Sequence, residues 1–106
     1  MKINLNCFAI FCLAVSIVTP SYAQDAGADT YKAKCAMCHG ADGLGKTTAG
    51  KSLKAASFKD PAIVKKSDAD LIAVVNKGRN KMPAYAGKLT DAQITAAVAY
   101  IRTLQK

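Results

Sequence analysis

One short motif restricts what this chain can fold into more than any other feature. It is the pentapeptide Cys35-Ala36-Met37-Cys38-His39. Side chains three positions apart on a helical turn are neighbours, about 5–6 Å apart between β-carbons. Cys35 and Cys38 can therefore form thioether bonds with the two vinyl groups at one edge of a haem, and His39 can ligate the iron. The motif predicts a c-type haem attachment site, and haem iron held in this way carries single electrons.

Two other uses of a Cys-x-x-Cys motif fit this chain poorly. A thioredoxin-like redox site needs a βαβ pattern around the motif, and none is visible. A zinc site needs about four ligands, whereas the other cysteines are Cys7 and Cys12, and His39 is the single histidine. A dithiol or a Cys35–Cys38 disulfide without haem is the remaining alternative at this stage.

The first 23 residues have the features of a cleaved secretory signal peptide. Lys2 gives a basic start, residues 7–18 form an apolar run, and Ser21-Tyr22-Ala23 has the small-x-small pattern of a cleavage site. A membrane anchor is disfavoured because spanning a bilayer takes about 20 apolar residues. We therefore expect cleavage after Ala23, a periplasmic or otherwise exported location, and a soluble mature chain of residues 24–106 that forms a single domain.

The charge balance is strongly basic. The chain has 15 Lys and Arg residues against 7 Asp and Glu residues, and all of the acidic residues are Asp. Such an excess keeps a protein in solution, and it also steers a protein toward acidic partners. We expect redox partner proteins with acidic docking surfaces. The lysines are scattered and the chain is exported, so nucleic acid is not an expected partner.

Helical periodicity and capping residues predict three helices and no strand. The first covers roughly residues 26–38, with Asp25 as its N-cap. The second begins at Ser67 and ends at Gly78, and the third begins at Thr90, where Gln93 completes a capping box.

Two further features of the chain bear on its core. Ile94, Ala97, Val98 and Ile101 form an apolar stripe along the third helix. The segment between the first two helices is expected to be irregular, with core contributions from Leu44, Leu53, Phe58, Ile63 and Val64.

A second iron ligand can be chosen by elimination. Met1 leaves with the signal peptide, and Met37 lies between the two cysteines, on the attachment side of the haem. Met82 remains, in a segment with Gly78 and Gly87 near its ends. Thioether ligation favours the reduced iron. We predict His39 and Met82 as the two axial ligands, with ligation by Lys81 or Lys77, or an open, five-coordinate iron, as the alternatives.

Taken together, these motifs resemble a small soluble monohaem class I cytochrome c of the bacterial type. The resemblance covers residues 25–104. It rests on Cys-Ala-Met-Cys-His-Gly-Ala-Asp-Gly, on Lys-Met-Pro-Ala-Tyr, and on Leu-Thr-Asp-Ala-Gln-Ile followed by Ala-Tyr-Ile-Arg. It implies an all-α cytochrome c fold, with three or more helices wrapped around one covalently attached haem c. By resemblance, Gly27 and Tyr31 on the first helix meet Ala97, Tyr100 and Ile101 on the last.

The resemblance implies a one-electron carrier and no enzyme activity. Such a protein is a monomer that shuttles between redox partners, with peripheral contact to membrane complexes. A weak peroxidase or a diatomic-gas binder is the alternative if Met82 dissociates readily. One departure is notable: many relatives have a proline near the carbonyl that hydrogen-bonds the axial histidine. Here no proline lies between His39 and Pro61, and Thr47-Thr48 occupy the expected region.

Overall fold

The computed structural model describes residues 14–16 and 22–106. Most of the expected signal peptide lies outside the described residues, so its cleavage after Ala23 stays a prediction. Residues 14–16 are exposed and have no regular secondary structure. Among the described residues, no helix is both long and apolar enough to cross a membrane.

Six helices occur between residues 22 and 106. They are α1 (Tyr22–Lys34), α2 (Ala36–His39), α3 (Thr48–Leu53), α4 (Pro61–Val64), α5 (Asp68–Lys77) and α6 (Asp91–Leu104). The described residues contain no strand, only two isolated bridged pairs in the segment 78–89. The all-α prediction is confirmed.

The predicted first helix is wrong in its bounds. The structure has two helices there, α1 and α2, separated at Cys35, and Asp25 lies inside the first turn of α1 instead of capping it. The break has a local cause. The amides of both Cys38 and His39 bond to the Cys35 carbonyl, at 3.3 and 2.9 Å. The Cys38 amide is therefore turned away from the Lys34 carbonyl, its partner in a continuous helix.

The segment predicted to be irregular contains two short helices. The Thr47 side chain accepts a bond from the Gly50 amide and caps α3, and the Asp60 side chain accepts one from the Ala62 amide and caps α4. Pro61 occupies the first turn of α4, where its missing amide proton costs nothing. The capping signals were present in the sequence, but each helix is too short to show a periodic apolar face.

The two long C-terminal helices begin where the capping residues predicted. The Ser67 hydroxyl accepts a bond from the Asp70 amide at the start of α5, and Gly78 ends that helix. Thr90 and Gln93 form a reciprocal capping box at the start of α6. The predicted apolar stripe on α6 is buried along its whole length.

Helices α1 and α6 pack closely against each other at a glycine. A β-carbon on Gly27 would overlap the carbonyl oxygen of Ala96, so only glycine permits this approach. The predicted crossing of these helices is confirmed, and the β-carbon of Tyr100 also lies near Gly27, as expected. Tyr31, one turn further along α1, is 1% exposed and packs with Ile101.

The buried side chains form two clusters on either side of the site described below. Leu71 and Val75 of α5 pack with Ile94 and Val98 of α6 in the first cluster. Tyr31, Phe58 and Ile101 form the second, and Ile63 packs against both. Two of the predicted core residues are instead exposed on the surface: Leu53 is 42% exposed and Val64 is 45% exposed.

Candidate functional site

A cavity of about 500 Å³ lies between the two clusters. The attachment motif contributes Cys35, Cys38 and His39 to its lining, and the segment between Gly78 and Leu89, called the methionine loop below, contributes Met82. Apolar side chains from several elements complete its walls: Leu53, Phe58, Ile63, Leu71, Val74, Val75 and Ile101. The structure thus brings the four predicted site residues to one cavity.

The His39 ring is fixed on two sides. Its Nδ1 atom lies 3.0 Å from the Ala56 carbonyl oxygen, and its ring stacks on Phe58 with 4.5 Å between centroids. Because a carbonyl only accepts, Nδ1 is the protonated nitrogen, which leaves the lone pair of a neutral ring on Nε2. Burial lowers the pKa of His39 below its ordinary value, although the bond to Ala56 opposes the shift. The neutral imidazole has one nitrogen available for a metal ion.

The carbonyl that orients His39 does not belong to the segment in which the sequence analysis expected it. Thr47-Thr48 were expected near this carbonyl, but it belongs to Ala56, just after α3. Lys54 ends α3 in the left-handed conformation, with φ of 55°. Ala56 follows this turn by two residues, so its carbonyl orients the ring without a proline.

Cys35 and Cys38 are both half-buried and neither is in a disulfide. Burial, followed by the charge of Cys38, raises the pKa of the Cys35 thiol to about 11. Met37, between them, is 77% exposed and does not line the cavity. The prediction that Met37 cannot act as the second ligand agrees with this placement.

Three hydroxyls that sequence analysis did not identify hold the backbone of the attachment segment, defined here as residues 34–40. Tyr31 donates to the Gly40 carbonyl at 2.6 Å, Thr47 to that of Met37 at 2.6 Å, and Tyr85 to that of Lys34 at 3.0 Å. These carbonyls belong to the last residue of α1, to the four-residue helix α2 and to the residue that follows α2, where backbone partners are lacking. The bonds span 9 to 51 positions, so no local pattern could reveal them.

Met82 is presented by a tight turn. The amide of Arg79 bonds to the Met82 carbonyl and the amide of Met82 to the Arg79 carbonyl, at 3.1 and 2.9 Å. Gly78 precedes the turn with φ of 72°, a conformation that suits glycine. Asn80 also has positive φ, 53°, inside the turn. The Met82 side chain is half-buried against the cluster formed by α5 and α6.

The rim of the cavity is mainly cationic. Four of its lining residues carry a positive charge and one carries a negative charge: Lys54, Lys66, Arg79, Lys81 and Asp60. The Asp60 carboxylate accepts the Ala62 amide at 2.9 Å. Within the part of the chain that the structure describes, the single ion pair joins Arg102 to Asp68. The rim cations therefore have no carboxylate partner among the described residues.

The donor set suits a covalently bound haem. It combines two thiols, an imidazole nitrogen with its lone pair free and a thioether sulfur, in a cavity with largely apolar walls. Imidazole and thioether are both established haem iron ligands. The volume also lies within the range of about 300–1,000 Å³ that is usual for cofactor sites.

Comparisons with known proteins agree with this chemistry. Residues 23–101 match the family described as "Cytochrome C oxidase, cbb3-type, subunit III". Cytochrome c6 of Thermosynechococcus vestitus is 35% identical over 97 residues, covering 90% of this chain and 84% of the relative. Cytochrome c6 of Nostoc sp. is 38% identical over 95 residues, covering 88% and 81%.

A solved structure is similar as well. It is that of the KustC0563 c-type cytochrome, which aligns with a TM-score of 0.68 and 34% sequence identity. The alignment covers 76% of this chain and 98% of that protein. The likeness therefore extends over about three quarters of this chain.

Proposed function

This chain belongs to the cytochrome c family of small monohaem proteins, and we propose that its haem is held by Cys35, Cys38, His39 and Met82. As a member of this family it carries one covalently attached haem c and is a one-electron carrier. When bound, haem supplies an iron that accepts and releases a single electron.

The observation that supports the ligand assignment is the convergence of side chains from two distant segments. Cys35, Cys38 and His39 reach the cavity from the attachment segment, and Met82 reaches it from a loop more than 40 positions later. Each thiol can add across one vinyl group, which forms a thioether without an added oxidant. The His39 Nε2 atom and the Met82 sulfur would then be the two side-chain atoms that bind the iron.

Electron transfer is proposed to occur at the edge of the haem near Cys35 and Cys38. Both cysteines are partly exposed, so this part of the cavity is accessible from solvent. Exposed cations lie within or beside the attachment segment and the methionine loop: Lys32, Lys34, Lys46, Lys77, Arg79, Lys81 and Lys88. Redox proteins act as partners of this family, and for this chain we propose partners with acidic docking surfaces.

We further propose that the protein is exported and is not an enzyme. Attachment of haem to Cys-x-x-Cys-His takes place outside the bacterial cytoplasm, which agrees with the signal-peptide pattern of residues 1–23. The single imidazole in the cavity is committed to the iron, and the Asp60 carboxylate is committed to capping α4. Residues 24–106 are proposed as one domain that acts as a monomer.

Expression in a periplasm that contains haem-attachment machinery tests the assignment. The purified protein should begin at Gln24, retain haem through denaturing electrophoresis and titrate as a single one-electron couple. Cys35→Ser and Cys38→Ser should each weaken covalent retention. Cys12→Ala, a cysteine change in the proposed signal peptide, is the control and should leave haem attachment unchanged. A colourless product with two free thiols would contradict the proposal.

A further inference from the structure

The methionine loop is tied to the attachment segment by one tyrosine. The Tyr85 hydroxyl donates to the Lys34 carbonyl oxygen at 3.0 Å, across 51 positions of the chain. Among the described residues, it is the only hydrogen bond between a side chain of this loop and helix α1. Lys34 is the last residue of α1 and directly precedes Cys35. The bond therefore joins the loop that carries Met82 to the segment that carries the two cysteines.

The Lys34 carbonyl is available for this bond because the helix breaks there. In a continuous helix it would accept the Cys38 amide, but that amide bonds to the Cys35 carbonyl instead. No other described donor bonds to the Lys34 carbonyl. The helix break thus leaves the Lys34 carbonyl without a backbone donor, and the Tyr85 hydroxyl donates to it.

The rest of Tyr85 is held firmly and lies close to Met82. Its amide bonds to the Val75 carbonyl of α5 at 2.9 Å, and its ring packs against the buried cluster of α5 and α6. Three residues of extended chain reach at most about 11 Å, so Met82 stays within about that distance of Tyr85. The backbone bond ties the loop to α5, as does that of the Ala86 amide to the Asn76 carbonyl, whereas the Tyr85 hydroxyl makes the loop's only side-chain hydrogen bond to α1 among the described residues.

We propose that the Tyr85 hydroxyl is a latch that keeps the methionine loop closed over the cavity and so sets how readily Met82 leaves the iron. The inference rests on the proposed ligation by Met82. The bond to Lys34 exists when the loop is closed and is lost when the loop moves away. Removing the Tyr85 hydroxyl lowers the ratio of protein with the methionine loop closed to protein with the loop open. It leaves the side chains of His39 and Met82 unchanged. Tyr85 is therefore a positioning residue.

The size of the effect follows from the value of one hydrogen bond. A neutral hydrogen bond contributes a net amount that corresponds to about a two- to tenfold change in an equilibrium. An external ligand that competes with Met82 binds to the open form, so its apparent affinity rises in proportion to the open fraction. Tyr85→Phe keeps the ring and its packing and removes only the hydroxyl.

The test is titration of the oxidised holoprotein with imidazole, followed by loss of the near-infrared iron–sulfur absorption band. Tyr85→Phe should keep the band without imidazole and bind imidazole about two- to tenfold more tightly than the parent protein. Tyr31→Phe is the matched control, because it removes a hydroxyl that also donates to a backbone carbonyl of the attachment segment, that of Gly40. It should lower the unfolding midpoint without raising the affinity for imidazole.

The outcomes separate the latch from the ligand assignment. An unchanged affinity in Tyr85→Phe, or an equal rise in Tyr31→Phe, would overturn the latch and leave ligation by Met82 intact. If Met82→Ala retains the near-infrared band, the ligand assignment itself is wrong, whatever the tyrosine variants do. Thermal unfolding of each variant shows whether a change in affinity merely follows a loss of global stability.

Discussion

The Thr47 hydroxyl lies 2.6 Å from the carbonyl oxygen of Met37, inside the haem attachment motif. It also lies 3.1 Å from the Cys38 carbonyl and accepts the Gly50 amide at 2.9 Å. A β-carbon on Gly50 would overlap the Cys38 carbonyl, so α3 packs directly on the motif. One hydroxyl thus caps α3 and fixes the turn between the two cysteines.

Replacing Thr47 with valine should therefore destabilise the holoprotein. The change keeps the shape of the side chain but removes an N-cap and leaves two carbonyls without their donor. We expect a loss of about 1–3 kcal/mol in the free energy of unfolding, measured with chemical denaturant. Thr48→Val is the control, since Thr48 is exposed and its hydroxyl makes no hydrogen bond among the described residues. Equal losses in both variants would mean that the Thr47 hydroxyl has no special role.

The assignment of Met82 as a ligand predicts a specific pair of results. Met82→Ala should abolish the near-infrared iron–sulfur band, lower the reduction potential and open the iron to exogenous ligands, because thioether ligation favours reduced iron. Met37→Leu should retain the band, since Met37 is 77% exposed and lies outside the cavity. Retention of the band in Met82→Ala would show that another group holds the sixth position.

The crossing of α1 and α6 predicts that Gly27 cannot be replaced. Alanine is normally the better helix former by about 1 kcal/mol, but here its β-carbon would overlap the Ala96 carbonyl. We expect Gly27→Ala to lower the free energy of unfolding by about 1–3 kcal/mol. Gly87→Ala is the comparison variant for backbone strain without steric overlap. Gly87 has φ of 78°, and nothing lies within 4 Å of a β-carbon added there. Stabilisation by Gly27→Ala would mean that the helices separate at no cost.

The Arg102 side chain should contribute more to the free energy of unfolding than its ion pair with Asp68 does alone. Its guanidinium bonds to the carbonyls of Lys66 and Val64 as well as to the Asp68 carboxylate. It therefore holds the corner between α4 and α5, where Ile63 and Lys66 line the cavity. Arg102→Met should cost about 1–3 kcal/mol of unfolding free energy. Asp68→Asn should cost less than about 1 kcal/mol, because the Asp68 side chain is 68% exposed. A larger loss of unfolding free energy in Asp68→Asn than in Arg102→Met would contradict this role.

The cationic rim predicts electron transfer that depends on salt. Raising the ionic strength from 0.1 to 1 M shortens the screening length from about 10 Å to about 3 Å, so the bimolecular rate with an acidic redox partner should fall. Lys81→Glu should slow the reaction at low salt and have little effect at high salt. Lys106→Glu makes the same charge change on an exposed residue that does not line the cavity, and it should have a smaller effect. A rate that does not depend on salt would point to apolar docking.

The sequence by itself predicted the chemistry of the site, and it determined where α5 and α6 begin. Cys35, Cys38 and His39 are specified by their spacing, which needs only one helical turn. Met82 follows by elimination among three methionines. Ser67 and Thr90 cap α5 and α6 through bonds to residues three positions away, so their signals are complete within a few residues.

Only the tertiary structure decided how that chemistry is held in place. The Ala56 carbonyl on His39, the Thr47 hydroxyl on the attachment motif and the Tyr85 hydroxyl on Lys34 join residues 10 to 51 positions apart. Periodicity and capping report contacts within a turn or two of the chain, whereas these bonds depend on the path of the backbone between the partners. The helix break at Cys35 is local in origin, because the Cys38 amide bonds to the Cys35 carbonyl, but the Lys34 carbonyl that it leaves free accepts a bond from the distant Tyr85 hydroxyl.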